Sequence, residues 1–135
     1  MTLFTQSIYV PSSADPDALR ISVMCRHTLS NGWGIDPKIT SASYDVWVPD
    51  LAPPDQLIGA WYRGELSREA FKAGYFAHID QAPQRQTLDL LLELIFATHR
   101  KPTLLCVEPK GEFCHRQLLA QRCQQLEPRL TVVHL

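Results

Sequence analysis

Apolar side chains recur at two different periods along this chain, and the change of period divides it. Phe4 to Val10 mixes β-formers and reads as a short strand. PSSADPD, Pro11 to Asp17, is turn chemistry, and LRISVMC, Leu19 to Cys25, follows as a buried strand. YDVWVPDL, Tyr44 to Leu51, alternates apolar and polar residues, a strand pattern that ends at Pro49. From Pro53 onward the spacing is helical. Leu57, Ile58, Trp61 and Tyr62 share one face, and Gly64 can stop that helix. Ser67 suits the cap of REAFKAGYFAHI, where Phe71, Tyr75 and Ile79 repeat at helical spacing. A third helix, about Gln84 to His99, carries Leu88, Leu91, Leu92, Ile95 and Phe96 and ends before Lys101-Pro102. TLLCV is short, apolar and flanked by turns, as a buried parallel strand should be. HRQLLAQRCQQL then reads as an amphipathic helix and LTVVHL as a last strand.

The closing order, helix–strand–helix–strand, is a βαβ unit. It predicts an α/β domain with a mostly parallel sheet and helices on both faces. Ligands in such folds bind beyond the carboxyl ends of the strands. Two loops leave strands at that end, one after Cys25 and one after Val107. The first, RHTLSNGWGIDPKITSAS, is long and polar, and loops of that length inside a domain are often functional. Asn31-Gly32 and Trp33-Gly34 suit tight turns within it, and Trp33 is expected to cover the core edge rather than stack on a ligand.

At 135 residues and 45% hydrophobic, the chain has the size and composition of one domain with a true core. Its net charge of -1 excludes coating of nucleic acid through bulk charge, though not a local basic pocket. The N-terminus MTLFTQSIYV lacks the pattern of a signal peptide, and LDLLLELIFA is too short to span a membrane. A cytoplasmic location is expected. There the four cysteines, Cys25, Cys106, Cys114 and Cys123, should be thiols, and none belongs to a CxxC pair.

The chemistry concentrates where the loop Glu108–Phe113 meets the last helix. Cys114 should sit near its first turn, where free backbone N–H groups and the helix dipole favour an anion. Arg116 adds a fixed charge suited to phosphate or carboxylate. The strand-end rule brings Arg26 and His27 toward Cys114, His115 and Arg116. The leading expectation is therefore a pocket for a phosphate-bearing small molecule, a nucleotide or a nucleic-acid end. Arg116 and Arg26 would hold the anion, His27 and His115 would be polar or acid–base partners, and Glu108 would orient Arg116 or His115. One alternative is an enzyme with Cys114 as thiolate nucleophile in phosphoryl or acyl transfer and His115 or His27 as its acid–base partner. It lacks the CxxxxxR phosphate loop, since the arginine follows two residues after the cysteine. Another is a non-catalytic interaction or regulatory module in which the cluster is structural. Cys106 and Cys123 read as core thiols. A metal set of Cys25, His27, Cys114 and His115 would place Arg26 and Arg116 against a cation, so neither a metal nor a cofactor is expected.

The segments RISVMCRHTLSNGWGIDPKIT, YDVWVPDLAPPDQLIGAWYRGELSREAFKAGYFAHI and TLLCVEPKGEFCHRQLLA resemble, in order, the bacterial proteins of the domain of unknown function 488 (DUF488) family. The most diagnostic element is the strand Leu104-Leu105-Cys106, then Glu108, then Cys114-His115-Arg116 opening a helix. The LAPP segment with Phe71 and Tyr75 adds to it. The resemblance implies a single Rossmann-like α/β domain. Many members carry an aspartate and an arginine after the early strand. Met24, Cys25, Arg26 and His27 stand there in this chain, so no acidic role carries over.

Overall fold

A computed structural model of the chain describes residues 1–28 and 34–135. The turn expected at Asn31-Gly32 and the placement of Trp33 lie outside the described residues. Five strands, β1 (Thr2–Ser7), β2 (Ala18–Ser22), β3 (Val46–Trp47), β4 (Lys101–Cys106) and β5 (Thr131–His134), form one sheet in the order β3-β2-β4-β1-β5. Every pairing is parallel. Four helices, α1 (Asp55–Tyr62), α2 (Arg68–Ile79), α3 (Gln84–Ala97) and α4 (His115–Leu126), complete an α/β domain of the Rossmann-like kind.

Strand alternation sorts side chains between the two faces. Leu3, Ile21 and Leu104 form one core with Phe71, Tyr75 and Ile79 of α2, Leu88, Leu91 and Ile95 of α3, and Leu119 and Cys123 of α4. Leu57 and Trp61 of α1 pack against the same cluster. The expectation of helices on both faces is therefore corrected, because all four lie against one. Irregular segments cover the other, where Ile8, Met24, Ile39 and Tyr44 pack with Leu105. The connection from β1 to β2 has only ten residues and forms a single 3-10 turn, Ser12–Ala14, rather than an α-helix.

Two arginines are buried. Arg20, 3% exposed, is enclosed by oxygen: Nε donates to the Ser43 carbonyl at 2.7 Å and Nη2 to those of Ile8 and Val10 at 3.2 and 2.8 Å. It ties the irregular layer to the sheet. The second, Arg116, has no such setting.

α2 and α4 begin and end where the sequence places them. The Ser67 Oγ accepts from the Ala70 N–H at 3.1 Å, which is the expected cap. YDVWVPDL forms only a two-residue strand, because Pro49 opens a 3-10 turn, Pro49–Leu51. No helix of the described residues is long and apolar enough to cross a membrane.

Candidate functional site

The chain leaves β1 toward one edge of the sheet, to β2, and leaves the adjacent β4 toward the other, to β5. Ligand sites of open α/β sheets form at such a reversal, beyond the strands' carboxyl ends. Cys106 ends β4 there, and Glu108–Phe113 lead into α4. Gly111 takes φ +89°, a left-handed conformation that turns the loop and strains any other residue. Phe113 seals the turn, its ring centroid 4.9 Å from that of Trp61 and 5.6 Å from that of Phe71. Cys114, in extended conformation, is the N-cap of α4.

Three groups converge at this end. The ligating atoms of Cys106, Cys114 and His115 all lie within 4.8 Å of one another. Cys114 and Cys106 are 3% and 4% exposed, and His115 is half-buried. The His115 ring is held at both nitrogens: Nε2 is 2.8 Å from the Val23 carbonyl oxygen and Nδ1 is 3.7 Å from Cys106 Sγ. A carbonyl only accepts, so Nε2 carries the hydrogen and Nδ1 faces the sulfurs. Tyr75 meets the ring edge-on at 5.8 Å, while its own hydroxyl donates to the Leu51 carbonyl at 2.5 Å. The α2 motif residues Phe71 and Tyr75 thus hold Phe113 and His115 in place.

The Cys114 thiol donates to Glu108 Oε2 at 2.9 Å. Burial and then the Cys114 charge raise the Glu108 carboxyl above its ordinary value. Burial alone would also raise Cys114, but its hydrogen bond with Cys106 and the charges of His115 and Arg116 prevail and bring it well below. The two shifts run toward each other, so one proton belongs to the pair rather than to either group. Cys106 moves the opposite way, raised by its hydrogen bond with Cys114 and by burial. Burial disfavours a charged His115, yet Cys114, the Val23 carbonyl and Glu108 together outweigh it and raise its pKa.

Arg116 is 1% exposed, and neither its Nε nor its Nη1 has a hydrogen-bond partner among the described residues. No carboxylate of the described residues forms a salt bridge with it. Its charge is felt by Cys114 on one side and by His134 of β5 on the other.

The chain belongs to the DUF488 family: residues 8–126 match DUF488-N3a, described as the active DUF488-N3 subclade. Comparison with curated proteins and with solved structures gave no match.

In this DUF488 domain the expected site residues divide into two groups. Glu108, Cys114, His115 and Arg116 come together, with Glu108 bonded to Cys114 rather than to Arg116 or His115. Arg26 turns outward to an exposed salt bridge with Asp55 of α1. His27 bonds to Ser22 Oγ at 2.8 Å, its ring centroid 4.4 Å from that of Trp47 and 4.7 Å from that of Tyr44. The end of β2 meets the start of α4 through the Val23 carbonyl and His115 Nε2, not through the side chains of Arg26 and His27. The residue missed from sequence is Cys106, which an unbroken apolar run disguises as core.

Proposed function

We propose that this DUF488 protein binds an oxyanion of the phosphate class at the start of α4, with Arg116 as its main contact. The observation that carries the reading is the pair of unpartnered donors on a guanidinium that is 1% exposed. A buried charge without a counter-ion, and donors without acceptors, are each costly, so native interiors supply partners for them. Arg20 shows that this same chain encloses a buried arginine in carbonyl oxygens where the role is structural. Arg116 lacks such oxygens and stands in the first turn of a twelve-residue helix, whose free N–H groups and dipole also favour an anion. A phosphate-bearing small molecule or nucleotide fits this chemistry, and the description of the matched subclade as active suits a working site.

Cys114 as a nucleophile receives less support. Its thiol is engaged by Glu108 at 2.9 Å, and the loop before it lacks the CxxxxxR spacing of a phosphate loop. Phosphate titrated at constant ionic strength tests the binding reading. Stabilisation should follow mass action, gaining about 1.4 kcal/mol for each tenfold rise above the dissociation constant. Phosphate that stabilises no better than chloride would sink the proposal.

A further inference from the structure

Independently of the anion reading, we propose that Cys106, Cys114 and His115 form a three-ligand centre for a thiophilic divalent cation of the Zn²⁺ class. Two sulfurs and one imidazole nitrogen are the donor types such a cation selects, and three protein ligands leave a fourth position for water or an exogenous oxygen. The spacing fits. The three ligating atoms lie within 4.8 Å of one another, and the Cys106 Sγ to His115 Nδ1 separation is 3.7 Å. Bonds of about 2.3 Å to sulfur and 2.0–2.1 Å to nitrogen would draw the set together by small side-chain movements.

The surroundings are those a metal-binding histidine needs. The far nitrogen of a ligating imidazole characteristically donates to a carbonyl or carboxylate, which fixes the ring and aims its lone pair. His115 Nε2 does this to the Val23 carbonyl at 2.8 Å, and the nitrogen left free is the one that faces both cysteines. Glu108, bonded to Cys114, is the carboxylate neighbour of a ligand rather than a ligand, since it is not part of the converging set.

Only the Arg116 part of the charge objection to a metal set that included Cys25 and His27 remains here. Those two residues are elsewhere, and Cys106 replaces them. Two thiolates cancel the charge of the dication, so Arg116 faces a neutral centre. Its own charge stays uncompensated, and the anion reading survives with or without the metal.

The test uses full-length reduced protein stripped with a chelator and titrated with Co²⁺. The expected result is a thiolate-to-cobalt charge-transfer band with the intense visible bands of a tetrahedral site. It should saturate near equimolar cobalt and be displaced by Zn²⁺. Cys106→Ser, Cys114→Ser and His115→Ala should each weaken cobalt binding on the order of 100-fold or more, since loss of a mere supporting contact already costs about 10–100-fold. Arg116→Met should leave the spectrum intact, which separates this proposal from the phosphate site. A wild-type protein without the charge-transfer band overturns the proposal, as does a band unchanged in both cysteine variants. If those variants fail to fold, alkylation of the wild type decides. Zn²⁺ should slow labelling of Cys106 and Cys114 and leave Cys25 unaffected, and equal labelling with and without Zn²⁺ overturns the centre.

Discussion

Replacing Arg116 by methionine should make the ligand-free protein more stable, the reverse of what a structural arginine would give. The side chain is 1% exposed in the first turn of α4, with Nε and Nη1 unpartnered. Each buried donor without an acceptor costs about 1–3 kcal/mol, so the two together cost roughly 2–6. Methionine is unbranched, similar in length and adaptable, and fills most of the same space. Some packing of the guanidinium is lost, which leaves a net gain on the order of 1–4 kcal/mol, the range seen when buried ionic groups are replaced by apolar ones. For a chain of this size that is roughly 3–5 °C per kcal/mol in midpoint. The assay is urea unfolding in a phosphate-free, chelator-treated amine buffer, with the slope checked for equality between variants. Adding phosphate should reverse the order by stabilising only the wild type. A loss of stability in Arg116→Met without phosphate, toward the roughly 3–5 kcal/mol cost of breaking a paired buried charge, would refute the reasoning.

Other outcomes follow from the same structure. Leu119→Ala empties a fully buried position beneath the sheet and should lose about 2–5 kcal/mol in urea unfolding. Ser67→Ala removes the acceptor for the Ala70 N–H and should lose about 1 kcal/mol, with a lower helical signal from α2. Burial pushes the Cys123 thiol up to about 12 from its ordinary value of 9.0. Because the folded-state value is the higher one, its contribution to stability is complete below pH 9 and lost as pH rises through 12. The stability difference between wild type and Cys123→Ala should shrink across that window, and a difference independent of pH would contradict the burial argument. Asp55→Ala removes an exposed carboxylate that meets Arg26 and the Cys25 thiol and should change stability by less than about 1 kcal/mol.

Much of this fold is legible in the sequence because local rules and packing agree. REAFKAGYFAHI and HRQLLAQRCQQL carry unambiguous helical spacing, and both helices have the expected bounds. Spacing also carries a signal for the burial of Arg116. It lies three, four and seven positions before Leu119, Ala120 and Cys123, all buried, which places it on the core-facing side of α4. Cys106 was illegible for a different reason. In a strand buried on both faces the apolar run is continuous, so nothing local distinguishes the last residue, which meets the site, from Leu104 beneath the helices. The paths of Arg26 and His27 depend on Asp55 and on Ser22, Tyr44 and Trp47. No rule of spacing names such partners, and the strand-end rule alone brought these residues too close.

The anion claim is tested most directly by calorimetric titration of a nucleoside monophosphate into chelator-treated wild type and Arg116→Met. Saturable binding near equimolar ratio in the wild type, absent from a variant that remains folded, is the result this account predicts. Equal binding by both proteins, or none by the wild type, would contradict it.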